Sequence, residues 1–123
     1  MEGLPPEALA QVAAYFQALS EPTRLMILNQ LRRGERNVGD LAQACECTSA
    51  NASRHLATLM QHGLVQREAR GTAVYYRIAD DSVYALCDLV CGSIARQIER
   101  KADDRKAFLR ARTAAAKPRT RAA

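Results

Sequence analysis

The chain has 123 residues, with 18 Lys and Arg against 13 Asp and Glu, a formal charge of +5. That length builds one domain with a modest core, which dimerisation would help to cover. Export would need a basic start and an apolar run, and membrane insertion about 18 or more apolar residues; the acidic start MEGLPPEALAQ, broken by Pro5 and Pro6, offers neither.

The expectation is therefore a cytoplasmic protein with no membrane partner, whose four cysteines are thiols, metal ligands or redox sensors rather than structural disulfides. Charge is uneven. Eight cations and two aspartates lie from Lys101 onward, a net +6, and the chain before them carries −1. A basic end on a nearly neutral body either adds sequence-independent attraction to a polyanion or is a solubilising, disordered terminus.

Leu9, Val12, Ala13, Phe16 and Leu19 recur at helical intervals and predict a first helix from about Pro6 to Ala18. Ser20 is expected to cap a second helix with Pro22 in its first turn, Leu25, Ile27, Leu28 and Leu31 on its buried side, and an end near Arg33. A short segment, Val38 to Ala44, turns Val38, Leu41 and Ala42 inward. Cys45, Glu46 and Cys47 then link it to the stretch TSANASRHLATLMQH, so the pair reads as a helix-turn-helix.

In that second helix Thr48 caps the start and Gly63 stops the end, while Ala52, Leu56, Leu59 and Met60 face inward. Its other face gathers Ser49, Asn51, Ser53 and Arg54, short hydrogen-bonding side chains beside one cation and no carboxylate. Such a face suits base edges and phosphates in a DNA major groove. After Gly63 the pattern alternates: LVQREAR, Gly71-Thr72, AVYYRIA, a β-hairpin with Arg67, Arg70, Thr72 and Arg77 placed to reach DNA backbone or minor groove.

Asp80 and Asp81 suit the positive start of a last helix in which Val83, Cys87, Val90, Ile94 and Ile98 form a narrow stripe, expected to be a dimer seam. The segment from Asp103 is expected to prolong that helix before the tail frays. At i and i+4, Cys87 and Cys91 share a helix face and can converge on one soft ion. No Ser/His/Asp or Cys/His arrangement and no glycine-rich phosphate loop is evident, and both histidines belong to one helix, so an enzyme is not expected.

The runs ALSEPTRLMIL, VGDLA, SRHLATL, HGLV and VYYRIAD, in this order, make the chain from Leu9 to Arg100 resemble the ArsR/SmtB family of winged-helix repressors. The resemblance implies a mainly α fold with a small β-hairpin, a winged helix-turn-helix. It also implies a homodimer through the first and last helices, bound to an inverted-repeat DNA operator and released by a small effector. The expected division is residues 6–102 as the DNA-binding and dimerisation domain and 103–123 as a basic, partly disordered extension.

Carried over by position, the base-reading residues are Ser49, Ala50, Ser53 and Arg54, with His55 either at a phosphate or packed and hydrogen-bonded. Ala50 departs from the longer polar residue common in the family and offers only apolar contact, for instance to a thymine methyl. The family's sensor positions are empty of their ligands here: Asn37 and Gly39 replace one Cys-x-Cys pair, Thr58 and His62 another pair, and Asn29 a bridging cysteine. Asp81 survives from the zinc type, but Val83, Ile94 and Gln97 stand for its histidines.

This chain has instead Cys87 and Cys91, and less favourably Cys45 and Cys47, as candidate sensors of a thiolate-bound metal or metalloid ion. Oxidation or reactive sulfur acting on the same thiols is the alternative. No cofactor is expected for DNA binding itself, and a winged-helix protein-interaction module without an operator is the remaining alternative.

Overall fold

The structure, a computed structural model, describes residues 1–116. It has two compact units, Met1–Asp81 and the helix that begins at Ser82. In the first unit α1 (Pro6–Leu19) and α2 (Pro22–Leu31) precede a two-residue strand, β1 (Arg36–Asn37). The helices α3 (Val38–Ala44) and α4 (Ser49–Gln61) follow, and then the hairpin β2 (Val65–Arg70) and β3 (Ala73–Ile78). This is the mainly helical, small-sheet architecture expected from the sequence, with the strands in the antiparallel order β1-β3-β2.

Local chemistry sets the boundaries. Pro6 opens α1, where a missing N–H costs nothing because first-turn N–H groups have no helical partner. The start of α2 corrects the sequence expectation. Glu21, not Ser20, is its N-cap, accepting from the Arg24 N–H at 3.0 Å, while the Ser20 hydroxyl turns back to donate to the Gln17 carbonyl at the end of α1. The helix stops at Leu31 with Arg32 as its C-cap, close to the end expected near Arg33, whose N–H donates back to the Gln30 carbonyl.

Asn37 caps α3 by accepting from the Asp40 N–H at 2.8 Å, and Thr48 caps α4 by accepting from the Asn51 N–H at 3.1 Å. Both helices of the pair end in the same Schellman geometry. In α4 the Gly63 N–H reaches Met60 and the Leu64 N–H reaches Leu59, with Gly63 at φ +73°. In α3 the Glu46 N–H reaches Gln43 and the Cys47 N–H reaches Ala42, but the left-handed residue is Glu46, at φ +53°. A side chain in that region is strained by about 1–2 kcal/mol.

The hairpin closes on Gly71 and Thr72 with a positive φ at Gly71 alone among the two, the pattern of a type II′ turn. β1 has no counterpart among the sequence expectations. Two residues carry no periodicity, yet Arg36 and Asn37 pair with Tyr76 and Tyr75 and tie the α2–α3 connection to the hairpin.

The core lies where α2, α3, α4 and the sheet meet. Ile27, Leu28 and Leu31 of α2, Leu41 and Ala42 of α3, and Ala52, Leu56 and Leu59 of α4 are buried, closed by Leu64, Val65 and Tyr76. Two residues expected to face inward, Leu25 and Met60, are 41 % and 38 % exposed, and Leu9 and Phe16 of the α1 periodicity are exposed as well. Val38 is half-buried, and Ala18 carries the buried position of α1.

The second unit is α5 (Ser82–Ala116), 35 residues long, which passes residue 102 without a break. Val83 is fully buried, whereas Val90, Ile94 and Ile98 of the same stripe are 47–62 % exposed. The tail beyond 116, expected to be disordered, lies outside the described residues. No described helix is long and apolar enough to cross a membrane.

The two Schellman ends give opposite expectations. Glu46→Gly should raise stability by about 0.5–1 kcal/mol by relieving the left-handed side chain, and Gly63→Ala should lower it by about 1 kcal/mol. Urea unfolding of both variants at matched concentration measures the difference.

Candidate DNA-binding surface

Burying Ala52, Leu56 and Leu59 fixes which side of α4 remains in water. Ser49, Ala50, Ser53 and Arg54 all lie there, exposed, as the sequence predicts. Asn51 is half-buried, and its Oδ1 accepts from the Arg54 guanidinium, so it orients the one cation of the face. The same row continues through Ala57 and Gln61, which are absent from the residues expected on this face. Intervals of four, three and four from Ala50 through Arg54 were the available signal. No carboxylate interrupts α4.

His55 is placed elsewhere. Its side chain is only 13 % exposed, with Nε2 3.7 Å from the Glu21 carboxylate. A guanidinium can only donate, so Nδ1 accepts from Arg24 Nη1 at 3.2 Å and the ring hydrogen sits on Nε2. Of the two roles expected for His55, the packed and hydrogen-bonded one matches this geometry, and the phosphate contact does not.

Arg24 reaches further. Its Nε donates to the Ala18 carbonyl at 2.5 Å and its Nη2 to the Gln17 carbonyl at 3.2 Å, satisfying the open end of α1. Partial burial pushes the Glu21 carboxyl pKa up, but the backbone N–H groups of Arg24 and Thr23 and the Arg24 charge act against it, and the carboxyl lies below its ordinary value. Arg24 therefore joins the end of α1, the start of α2 and the side of α4 in one network.

The hairpin arginines have different fates. Alternation puts Arg67 on the Tyr76 side of the sheet, exposed and in no ion pair among the described residues. Gln66, Glu68 and Arg70 lie on the other side. There Arg70 is held by both oxygens of Glu35 and by Glu68 at 3.0 Å, with its guanidinium 5.0 Å from the Tyr75 ring centre. Those carboxylates push the guanidinium pKa up. Arg77 donates to Gln66 at 3.1 Å and to Glu68 at 3.3 Å. Arg70 thus differs from Arg67 in being paired with two carboxylates while remaining exposed, and Thr72 stands exposed at the tip.

The four cysteines are unbridged. Cys45 closes α3 and is 6 % exposed; burial, and then its neighbour Cys47, push its thiol pKa up, so it stays protonated and unreactive at neutral pH. Cys47 is half-buried. On α5 Cys87 is half-buried and Cys91 exposed, one turn apart. Among the described residues no three His, Cys, Asp or Glu side chains are grouped to hold a metal ion. A chain offers the Cys87/Cys91 pair as soft donors, two ligands short of a tetrahedral site.

Residues 21–67 match the family model described as bacterial regulatory protein, arsR family. The chain is 43 % identical over 82 residues to the HTH-type transcriptional regulator NmtR of Mycobacterium tuberculosis, an alignment covering 67 % of this chain and 68 % of that one. It is 36 % identical over 81 residues to the arsenical resistance operon repressor of Bacillus subtilis, covering 65 % and 77 %. Among solved structures, the homodimeric winged helix-turn-helix DNA-binding domain of a possible ArsR-family regulator from Mycobacterium bovis superposes with a TM-score of 0.68 at 37 % identity, covering 81 % of this chain and 95 % of that one. These relatives are regulators of transcription and not enzymes, and with them the chain belongs to the ArsR/SmtB family of winged helix-turn-helix transcriptional repressors.

Proposed function

We propose that the chain is a dimeric, sequence-specific repressor of the cytoplasm that binds an inverted-repeat operator through α4 and leaves it when an effector engages thiols of α5. The observation that carries this reading is the carboxylate-free, exposed face of α4, fixed by the burial of Ala52, Leu56 and Leu59 opposite it.

Ser49, Ser53 and Arg54 supply donors and acceptors to base edges, Ala50 supplies apolar contact, and Asn51 aims Arg54. Arg67 and Thr72 reach the backbone from the hairpin. His55 and Arg70 act by positioning α4 and the hairpin, since their polar atoms are engaged by Glu21, Arg24, Glu35 and Glu68.

Dimerisation is supported by apolar side chains left in water: Leu9 and Phe16 on α1, and Val90, Ile94 and Ile98 on α5. A symmetric dimer presents two copies of α4 to two half-sites. It also doubles the soft donors, so Cys87 and Cys91 of two chains supply four sulfurs, enough for a tetrahedral soft-metal site, or three for arsenite. The arsenical resistance operon repressor among the relatives supports the metalloid class. Such an effector shifts the protein off DNA only to the extent that it binds one dimer arrangement better than the other.

Arg54→Ala should weaken operator binding by about 1–3 kcal/mol at physiological salt, whereas Arg70→Ala should leave affinity within about threefold while lowering thermal stability. Fluorescence anisotropy with a duplex selected from genomic fragments, beside a melting curve, reads both. Equal loss of affinity in the two variants would contradict the assignment.

The effector is read in the same assay. Reduced protein on its operator, titrated with arsenite, cadmium, zinc, peroxide and polysulfide, should be released by a thiophilic agent, and Cys87→Ser/Cys91→Ser should stay bound. Release by peroxide or polysulfide alone would assign the redox alternative, and a double variant that still responds would remove these cysteines from sensing.

A further inference from the structure

The DNA-binding unit is not where the positive charge is. Met1–Asp81 holds eight arginines against nine carboxylates, a net −1, and the chain from Ser82 onward holds ten Lys and Arg against four carboxylates, a net +6. Within the first unit Arg24, Arg70 and Arg77 are already engaged by protein partners. A polyanion is attracted by local cations whose counterions it displaces, and such attraction sets the salt dependence of DNA binding.

The cations of α5 are ordered. Positions seven apart lie nearly above one another on a helix. One such row runs Cys87, Ile94, Lys101, Phe108 and an adjoining row runs Cys91, Ile98, Arg105, Arg112. The face carries no cation through Ile98; beyond it Lys101, Arg105 and Arg112 share the face with the exposed Phe108 and Leu109, whereas Asp103 and Asp104 fall outside both rows. Lys101, Arg105 and Arg112 are exposed and in no ion pair among the described residues.

We propose that Lys101, Arg105 and Arg112 form a second DNA-contacting surface, a phosphate-binding stripe that supplies the sequence-independent attraction that the α4 unit lacks. The proposal rests on the DNA-binding function argued above and adds to it a division of labour: α4 reads sequence, and the far half of α5 holds phosphates.

The test compares two triple variants that remove equal charge from α5. Lys101→Gln/Arg105→Gln/Arg112→Gln empties the stripe, and Arg96→Gln/Arg100→Gln/Arg110→Gln removes three cations outside it. Glutamine keeps the helix propensity, and circular dichroism with dimer mass verifies both proteins. The dissociation constant is measured against salt for the selected operator and for a scrambled duplex.

The stripe variant should weaken both duplexes by the same factor and flatten the log–log salt slope by roughly one unit for each phosphate no longer neutralised, while the off-stripe variant keeps the parental slope. Equal flattening by both variants would reduce the effect to net charge and overturn the stripe, as would no flattening by either. Loss of parental binding to phosphatidylserine vesicles in the stripe variant, with an unchanged DNA slope, would assign the stripe to a lipid surface instead. A parent that binds no duplex even at low salt would overturn the DNA-binding function itself and this proposal with it.

Discussion

The seating of α4 is the constraint on which the rest of the structure depends. Leu56 and Leu59 are fully buried where α4 packs on α2, α3 and β2, each worth roughly 1.5–3 kcal/mol of apolar burial. Ala52 beside them has no side chain beyond Cβ, so the backbone of the first turns lies close to its neighbours. The seat admits one rotation of the helix and therefore one outward face. Two polar devices secure it: the Thr48 cap at the start and the Gly63 Schellman turn at the end. Arg24 adds a lateral tie, because the guanidinium that closes the end of α1 also donates to His55 on α4. The orientation of α4 is in this way linked to α1, a helix whose apolar side chains Leu9 and Phe16 remain in water.

Charge follows a similar economy. Glu35 and Glu68 pair with Arg70, and Glu68 also with Arg77, on one side of the hairpin, so these surface cations are partly neutralised where they stand. Arg67, one residue before Glu68, escapes because alternation turns it to the opposite side. On α5 the exposed apolar side chains Val90, Ile94 and Ile98 give way, along one continuous helix, to a surface where cations are interspersed with Phe108 and Leu109.

Much of this was legible in the residues. Thr48, Gly63 and Gly71 act through their own backbone neighbours, so the helix-turn-helix and the hairpin turn could be read locally. Glu21 and Ser20 both carry oxygens that can cap a helix, and the choice between them turns on the Ser20 hydroxyl donating back to the Gln17 carbonyl three residues earlier, a local competition that the residue types alone do not decide. Periodicity marked Leu9, Phe16 and Leu25 as apolar stripes correctly but could not say whether the covering surface is the same chain. The engagement of His55 and Arg70 escapes the sequence for one reason: their partners Arg24 and Glu35 lie 31 and 35 residues away, beyond any spacing rule.

The most direct measurement of the central claim is backbone amide hydrogen exchange of the dimer with and without its selected operator duplex. New protection is expected in the first turns of α4, from Ser49 to Arg54, and at the Gly71-Thr72 tip, with the buried amides around Leu56 and Leu59 already slow in both states. Protection that appears elsewhere while Ser49–Arg54 and the tip exchange as in the unbound protein would contradict it.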